Sequence, residues 1–179
     1  MRIMMMLGVA VMTLATPADA AVVASDAHGF MLQTRVEIDA DAATVYTTLV
    51  QPSRWWSSSH SYSGDARNMT LDARAGGCFC EAVPMKLGQA GSVEHGRVVY
   101  AMPDHQLRLS TALGPLQAEG VSGALDLMIV PRDKGVTVTM TYVVGGYVRT
   151  GAAAMAPVVD QVLAEQLNRL KRAAESAVE

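Results

Sequence analysis

The chain has few of the features that nucleic-acid-binding and cofactor-dependent proteins need. Its 14 basic and 17 acidic side chains give a net charge of −3, so it lacks the basic face that binds nucleic acids or anionic membranes. The 179 residues contain no phosphate-binding glycine loop, no dinucleotide fingerprint, no His-Glu-x-x-His motif and no Gly-x-Ser-x-Gly elbow. We therefore predict no nucleic-acid partner, no cofactor, no metal site and no catalytic set.

Cysteine is also scarce, with Cys78 and Cys80 as the two cysteines of the chain. Residues two apart on a strand point to the same face, with Cα atoms about 6.5–7 Å apart. That separation lies at the edge of what a disulfide tolerates, so the spacing favours two packed or partly exposed thiols. A Cys-x-Cys disulfide and half of a metal site remain as alternatives.

Long apolar runs are absent except near the start. Arg2 precedes an apolar run at residues 3–14 and an Ala-x-Ala end at residues 18–20, a pattern typical of a secretory signal peptide. A membrane anchor or a misassigned start codon are the alternatives, but the run is too short to span a bilayer comfortably. We predict a signal peptide at residues 1–20, one mature domain at residues 21–179, a periplasmic or secreted location and no stable membrane insertion after cleavage. The oligomeric state is not predicted.

The remaining sequence alternates between the periods of strands and helices. Residues 30–38 alternate as a half-buried strand, residues 42–49 have helical spacing that ends before Pro52, and residues 53–59 suggest a second short helical stretch. Further strands are predicted from residue 69 and at residues 78–83, 93–102, 107–113, 125–129 and 136–144. A long amphipathic helix follows at residues 151–177. The prediction is an α+β fold in which a curved antiparallel sheet wraps around the long C-terminal helix, with two short helices after the first strand.

Several short motifs, in this order, resemble the START-like helix-grip superfamily, also called the polyketide cyclase/dehydrase and lipid-transport superfamily. They are Trp55-Trp56, Gly76-Gly77-Cys78-Phe79-Cys80-Glu81, Gly96-Arg97-Val98 leading to Pro103, Leu107-Arg108-Leu109 and the final helix. The resemblance covers roughly residues 28–178 and is strongest to the branch named after the activator of the heat-shock-chaperone ATPase. It implies a deep apolar cavity between sheet and C-terminal helix, and no single activity. The cytosolic chaperone partner that the branch implies conflicts with an export signal.

The residues after the first helix are the first candidates for the cavity wall. Neighbours on a helix point about 100° apart, so we expect either Trp55 or Trp56 to face the cavity. That tryptophan would either close the core or form a wall for an aromatic or lipid-like ligand. In the fold that the resemblance implies, His60 lies in a loop near the cavity mouth. There it would either be solvated or act with Tyr62 as an acid–base pair.

The strand that carries the cysteines supplies two further candidates, because Phe79 and Glu81 share its opposite face. A buried carboxylate must be paired or neutral, and Arg97 or Arg108 could pair with Glu81. The pair would be either a structural ion pair or a polar anchor for a ligand.

The last strand and the helix complete the candidate site. Tyr142 lies on the apolar face of the strand and needs a hydroxyl partner, either in the core or on a ligand. Met155 and Val159 belong to the apolar stripe of the helix.

These residues favour binding of a small apolar or amphipathic molecule, without defined catalysis. One alternative is a cyclase, dehydratase or hydrolase for a polyketide-like or aromatic substrate, with Glu81, His60 or Tyr142 as its acid–base group. The other is a ligand-free interaction module, which predicts a cavity filled by side chains.

Overall fold

The computed structural model describes residues 19–178, in which one eight-stranded antiparallel sheet curves against a long helix. The strands are β1 Asp19–Asp26, β2 Gly29–Ile38, β3 Met69–Leu71, β4 Cys78–Pro84, β5 Ala90–Met102, β6 Gln106–Ser110, β7 Gly120–Pro131 and β8 Val136–Tyr147. Their order across the sheet is β1-β2-β8-β7-β6-β5-β4-β3. The helices are α1 Ala42–Leu49 and α2 Ala152–Glu175. The predicted α+β helix-grip class is therefore confirmed.

The centre of the sheet follows from the two clearest alternating segments. Strand β8 pairs with β2 from Gly29↔Gly145 to Ile38↔Val136, and it pairs with β7 on its other side. Its valines at positions 136, 138 and 144 are buried, while its threonines point away from the core. Because alternate residues of a strand face opposite sides, this one pattern fixes which face of the sheet meets the helix.

Short turns follow α1 where a second helix was expected. Asp41 caps α1 by accepting a hydrogen bond from the Thr44 N–H at 2.7 Å. Two single 3₁₀ turns, Pro52–Arg54 and Ser58–His60, then flank Trp55 and Trp56. Both tryptophans are buried, so this segment folds back under the sheet.

Helix α2 packs across β1, β2 and α1. Its buried residues include Leu163, Leu167 and Leu170, which match the predicted apolar stripe. Among the described residues, no helix is long and apolar enough to cross a membrane.

Several strands differ from the sequence prediction, among them β1, β6 and β8. Strand β1 was not predicted, and β6 ends at Ser110 instead of residue 113 because a 3₁₀ turn at Gly114–Ala118 follows. Strand β8 continues through Gly145 and Gly146 to Tyr147, where it still pairs with β7. The predicted signal peptide lies almost wholly in residues 1–18, outside the described part of the chain, so export stays a prediction.

The favoured thiol state of the cysteines was wrong, because Cys78 and Cys80 form a disulfide. Their Cα atoms are 5.4 Å apart, closer than regular strand geometry gives. The pairing of β4 with β5 also shifts register between Phe79 and Cys80, so this part of β4 departs from a regular ladder. At 5.4 Å the two Cα atoms lie within the range of a disulfide.

Candidate functional site

A groove of about 560 Å³ opens at one end of the space between sheet and helix. One wall is the segment from Trp56 to Tyr62, and a second is the turn from Leu113 to Pro115. The third wall is the N-terminal half of α2, where Met155, Val159 and neighbouring valines face the groove. His95 of β5 also lines the groove and is the one strand residue to do so among the described residues.

The deep cavity that the resemblance implies is largely filled by side chains. Between the sheet and the middle of α2, a space of only about 30 Å³ remains, and its lining includes Trp55, Phe79 and several leucines. Trp56 and Leu163 line both this inner space and the groove, so they separate the two. The bulk of the two tryptophans, Phe79 and the leucines explains why the usable volume lies at the end of the fold.

Glu81 is an ionised carboxylate buried behind the groove. Its side chain is fully buried, and its Oε1 accepts the Ser63 N–H at 2.5 Å while its Oε2 accepts the Tyr62 N–H at 3.1 Å. Burial alone would raise the pKa of Glu81, but the hydrogen bonds from Ser63, Tyr62 and His95 outweigh burial and lower it below the usual 4.5. The carboxylate therefore stays charged at neutral pH.

The predicted partners of Glu81 were wrong, because Arg97 and Arg108 bind elsewhere. Arg97 pairs with Glu94, and Arg108 pairs with Asp126 at 3.0 Å on the outer face of the sheet. Alternation already places both arginines on that outer face, whereas Glu81 points inward. Its partner is instead His95, whose Nε2 lies 2.8 Å from Oε2.

His95 shares the inward face of β5 with Val93, and it stands at a bulge. Phe79 pairs with Gly96 and Cys80 pairs with Glu94, so His95 has no partner of its own on β4. The side chain is 3% exposed, and its ring centroid lies 4.9 Å from that of Phe79. Sequence reasoning missed His95 because the bulge changes the phase of β5, so that the buried Val98 alternates out of step with His95. The signal available was Gly96, which has no side chain and lies close to Thr111.

The proton on Nε2 of His95 follows from its carboxylate partner. An ionised carboxylate only accepts hydrogen bonds, so Nε2 carries the proton that it donates to Glu81. In neutral imidazole the other nitrogen, Nδ1, is then an acceptor. The hydrogen bonds within the described part of the chain include none to Nδ1. An imidazole held in this way can accept a hydrogen bond or a proton from a bound molecule.

Hydrogen bonds tie the three walls of the groove together. The Tyr62 hydroxyl donates to the Gly114 carbonyl at 2.9 Å, which joins the first wall to the second. His60 Nε2 lies 3.1 Å from Glu165 of α2, which joins the first wall to the third. The Trp56 indole N–H donates to the His60 carbonyl at 3.0 Å and holds the indole in place. The groove is therefore a built structure instead of a gap between mobile loops.

The predicted site residues divide into four groups, of which Tyr142 is the last. Those that line the groove are Trp56, His60, Met155 and Val159. Trp55 and Phe79 line the small inner space instead, so Trp56 is the tryptophan that faces the groove. Glu81 lies behind the groove and binds two residues of its lining, His95 and Tyr62.

Tyr142 does not reach the groove. It is fully buried, and its hydroxyl donates to the Thr111 carbonyl at 3.2 Å and accepts the Leu113 N–H at 3.1 Å. Burial raises the pKa of Tyr142 to about 12, with a smaller opposing effect from the Leu113 hydrogen bond. Of the two hydroxyl partners considered from the sequence, the structure supplies the one in the core.

Solved structures share this fold at low sequence identity. A protein from Rhodobacter sphaeroides is 18% identical to this chain, with a TM-score of 0.56, and the match covers 90% of this chain and 100% of that chain. The protein of unknown function SA2116 from Staphylococcus aureus is 11% identical, with a TM-score of 0.61, and the match covers 89% of this chain and 98% of that chain. The di-domain ARO/CYC StfQ from the steffimycin biosynthetic pathway is 11% identical, with a TM-score of 0.56, and the match covers 82% of this chain and 49% of that chain.

No family model and no curated protein matches the chain. At these identities the similar structures show the helix-grip fold alone. The resemblance to the chaperone-activator branch therefore stays a prediction.

Proposed function

We propose that this protein binds a small apolar or amphipathic molecule in the groove between Trp56, the Leu113–Pro115 turn and α2. The observation that carries the proposal is a volume of about 560 Å³ with mostly apolar walls. Ligand pockets of proteins typically have about 300–1,000 Å³, apolar linings and a few polar groups that orient the ligand. Burial of the apolar part would supply affinity, and the polar residues at the floor and rim would set the orientation.

The test is a binding titration with the neutral fluorescent probe N-phenyl-1-naphthylamine, which brightens when it leaves water. In the Val159→Trp variant an indole occupies the groove, and we expect the affinity to fall at least about tenfold, since this corresponds to ~1.4 kcal/mol of lost apolar contact. Gln161→Trp is the matched control, because Gln161 is exposed on the same helix and does not line the groove. Equal affinities of the two variants would refute binding in the groove.

The open groove also bears on the two alternatives. A ligand-free interaction module predicts a cavity filled by side chains: the space between the sheet and the middle of α2 fits that prediction, whereas the groove at its end does not. A cyclase, dehydratase or hydrolase is favoured by one observation, the imidazole of His95 held by a buried carboxylate. The fold shared with an ARO/CYC protein is compatible with such chemistry but adds no residue to it.

Export is part of the same proposal, and the Cys78–Cys80 disulfide supports it. Disulfides persist in oxidising compartments and are rare in the cytosol. We expect the protein recovered from the periplasm or medium to begin at Ala21. Intact-mass measurement of an uncleaved chain from the cytosol, with both thiols reduced, would contradict export.

A further inference from the structure

His95 lines the groove, and the described residues make no hydrogen bond to its Nδ1. Glu81 is already occupied by three donors, and His95 meets it through Nε2. The ring of His95 is packed against the rings of Phe79 at 4.9 Å and Tyr62 at 5.8 Å between centroids. Since His95 lines the groove, Nδ1 is the ring nitrogen left to meet a bound molecule.

The network behind the ring fixes the proton on one of its two nitrogens. The charged carboxylate of Glu81 keeps a proton on Nε2, so Nδ1 is an acceptor when the ring is neutral. Two backbone N–H groups hold the carboxylate in turn, at 2.5 and 3.1 Å, so the ring has a rigid support. A preorganised acceptor selects ligands that carry a donor, because a ligand without one leaves it desolvated and unpaired.

The charges around the groove disfavour an anionic head group. Among the described residues that line it, none is a lysine or an arginine. The buried charge next to His95 is negative, and a second carboxylate, Glu165, lies 3.1 Å from His60 at the rim. A carboxylate or phosphate placed at the floor would therefore meet negative charge without a cationic partner fixed by the fold.

We propose that His95 accepts a hydrogen bond, through Nδ1, from a hydroxyl or N–H group at the inner end of the ligand. The ligand class is then an uncharged apolar molecule with one terminal donor, such as a phenol or an alcohol, and not a fatty acid. This proposal rests on the proposed function, because it names the ligand class of the same groove. His95 is the recognition residue, and Glu81 is the positioning residue that sets its tautomer.

The experiment compares two probes of nearly equal shape, 1-naphthol and 1-methoxynaphthalene, of which only the first has a donor. Their affinities are measured by equilibrium dialysis with the folded wild-type chain and with His95→Phe, which keeps a ring but removes both nitrogens. His105→Phe is the matched control, since His105 is exposed and lies outside the groove. The two probes and the variants form a double-mutant cycle in which the ligand is one partner.

We expect wild type and His105→Phe to prefer 1-naphthol by about 3- to 10-fold, the range of one neutral hydrogen bond. In His95→Phe the preference should disappear through weaker naphthol binding, with methoxynaphthalene affinity little changed. Equal binding of the two probes to wild type, or an equal loss for both in His95→Phe, would overturn the proposal while leaving binding in the groove intact. Failure of both probes and of N-phenyl-1-naphthylamine to bind wild type would overturn the proposed function itself.

Removal of His95 also takes one partner from buried Glu81, so a second measurement uses the unmodified protein. Long-range ¹H–¹⁵N spectra of histidine-labelled wild type report which ring nitrogen carries the proton and whether the other accepts a hydrogen bond. We expect an unprotonated Nδ1 in His95 whose resonance moves on addition of 1-naphthol but not of 1-methoxynaphthalene. A proton on Nδ1, or the same response to both probes, would contradict the proposal even if the variant does not fold.

Discussion

Replacement of Glu81 by glutamine is the perturbation that most sharply tests the buried network. The carboxylate accepts three hydrogen bonds, from the Ser63 and Tyr62 N–H groups and from His95. Glutamine has the same shape, but one of its two ends is an NH₂ group that cannot accept. In either orientation at least one donor therefore faces another donor inside the protein.

The cost follows from the bonds that change. Hydrogen bonds to a charged group contribute about 1.5–3 kcal/mol each, and an unsatisfied buried donor costs about 1–3 kcal/mol. Allowing for relaxation, we expect Glu81→Gln to lower the free energy of unfolding by about 2–4 kcal/mol. For a domain of this size that loss corresponds to a fall in Tm of about 5–15 °C.

The assay is urea unfolding at neutral pH, with the slope of free energy against urea checked to be the same for each protein. Glu37→Gln is the matched control: the Glu37 carboxylate is 67% exposed and pairs with Arg132 at 3.3 Å. Such an exposed pair is worth less than about 1 kcal/mol. A loss in Glu81→Gln no larger than in this control would refute the reasoning.

The network also makes the stability of the folded protein depend on pH in the acid range. The pKa of Glu81 is lower in the folded protein than its usual 4.5, so the unfolded chain binds a proton first as the pH falls. The stability that Glu81 contributes is therefore complete above pH 4.5 and is lost as the pH falls toward and through its folded pKa. Glu81→Gln should unfold with a shallower acid dependence than the wild type.

Two further predictions concern the core and a turn. Tyr142→Phe leaves the Leu113 N–H without its acceptor and should cost about 1–3 kcal/mol at neutral pH. The pKa of Tyr142 is raised from 10.0 to about 12 in the folded protein, so the unfolded chain loses its proton first as the pH rises. The free energy of unfolding of wild type should therefore fall by ~2–3 kcal/mol between those pH values, and that of the variant should not. Equal alkaline unfolding curves for the two proteins would contradict this. Gly135 has φ of +80°, and an added Cβ would lie 2.1 Å from the Ile38 carbonyl oxygen. Gly135→Ala should therefore be at least ~2 kcal/mol less stable than Gly76→Ala, which has φ of +81° but no neighbour within 4 Å; similar thermal unfolding of the two variants would refute the steric argument.

Much of the fold could be predicted from the sequence because its central elements have strong periodicity. The alternation of β2 and β8 marks the face of the sheet that is buried, and the apolar stripe of α2 marks the face of the helix that is buried. Strand β1 lacked this signal, because its side chains from Val22 to Asp26 are all exposed and therefore show no alternation between buried and exposed positions.

The candidate site was less predictable because it depends on departures from alternation. His95 and the Cys78–Cys80 disulfide both lie where β4 and β5 change register. Alternation correctly placed Glu81 inside but could not identify His95 as its partner, because the phase of β5 changes after His95. For Tyr142 the sequence correctly predicted a buried side chain. It could not show that backbone groups, and not a ligand, are the hydrogen-bond partners of the hydroxyl.

The most direct test of the central claim is a map of where an apolar probe binds. Backbone amide spectra of ¹⁵N-labelled protein, recorded during titration with N-phenyl-1-naphthylamine, would locate the site residue by residue. We predict that the largest shifts fall in three segments, residues 56–62, residues 113–115 and residues 155–163 of α2. Shifts confined to the outer face of the sheet, or no shifts at saturating probe, would contradict the account.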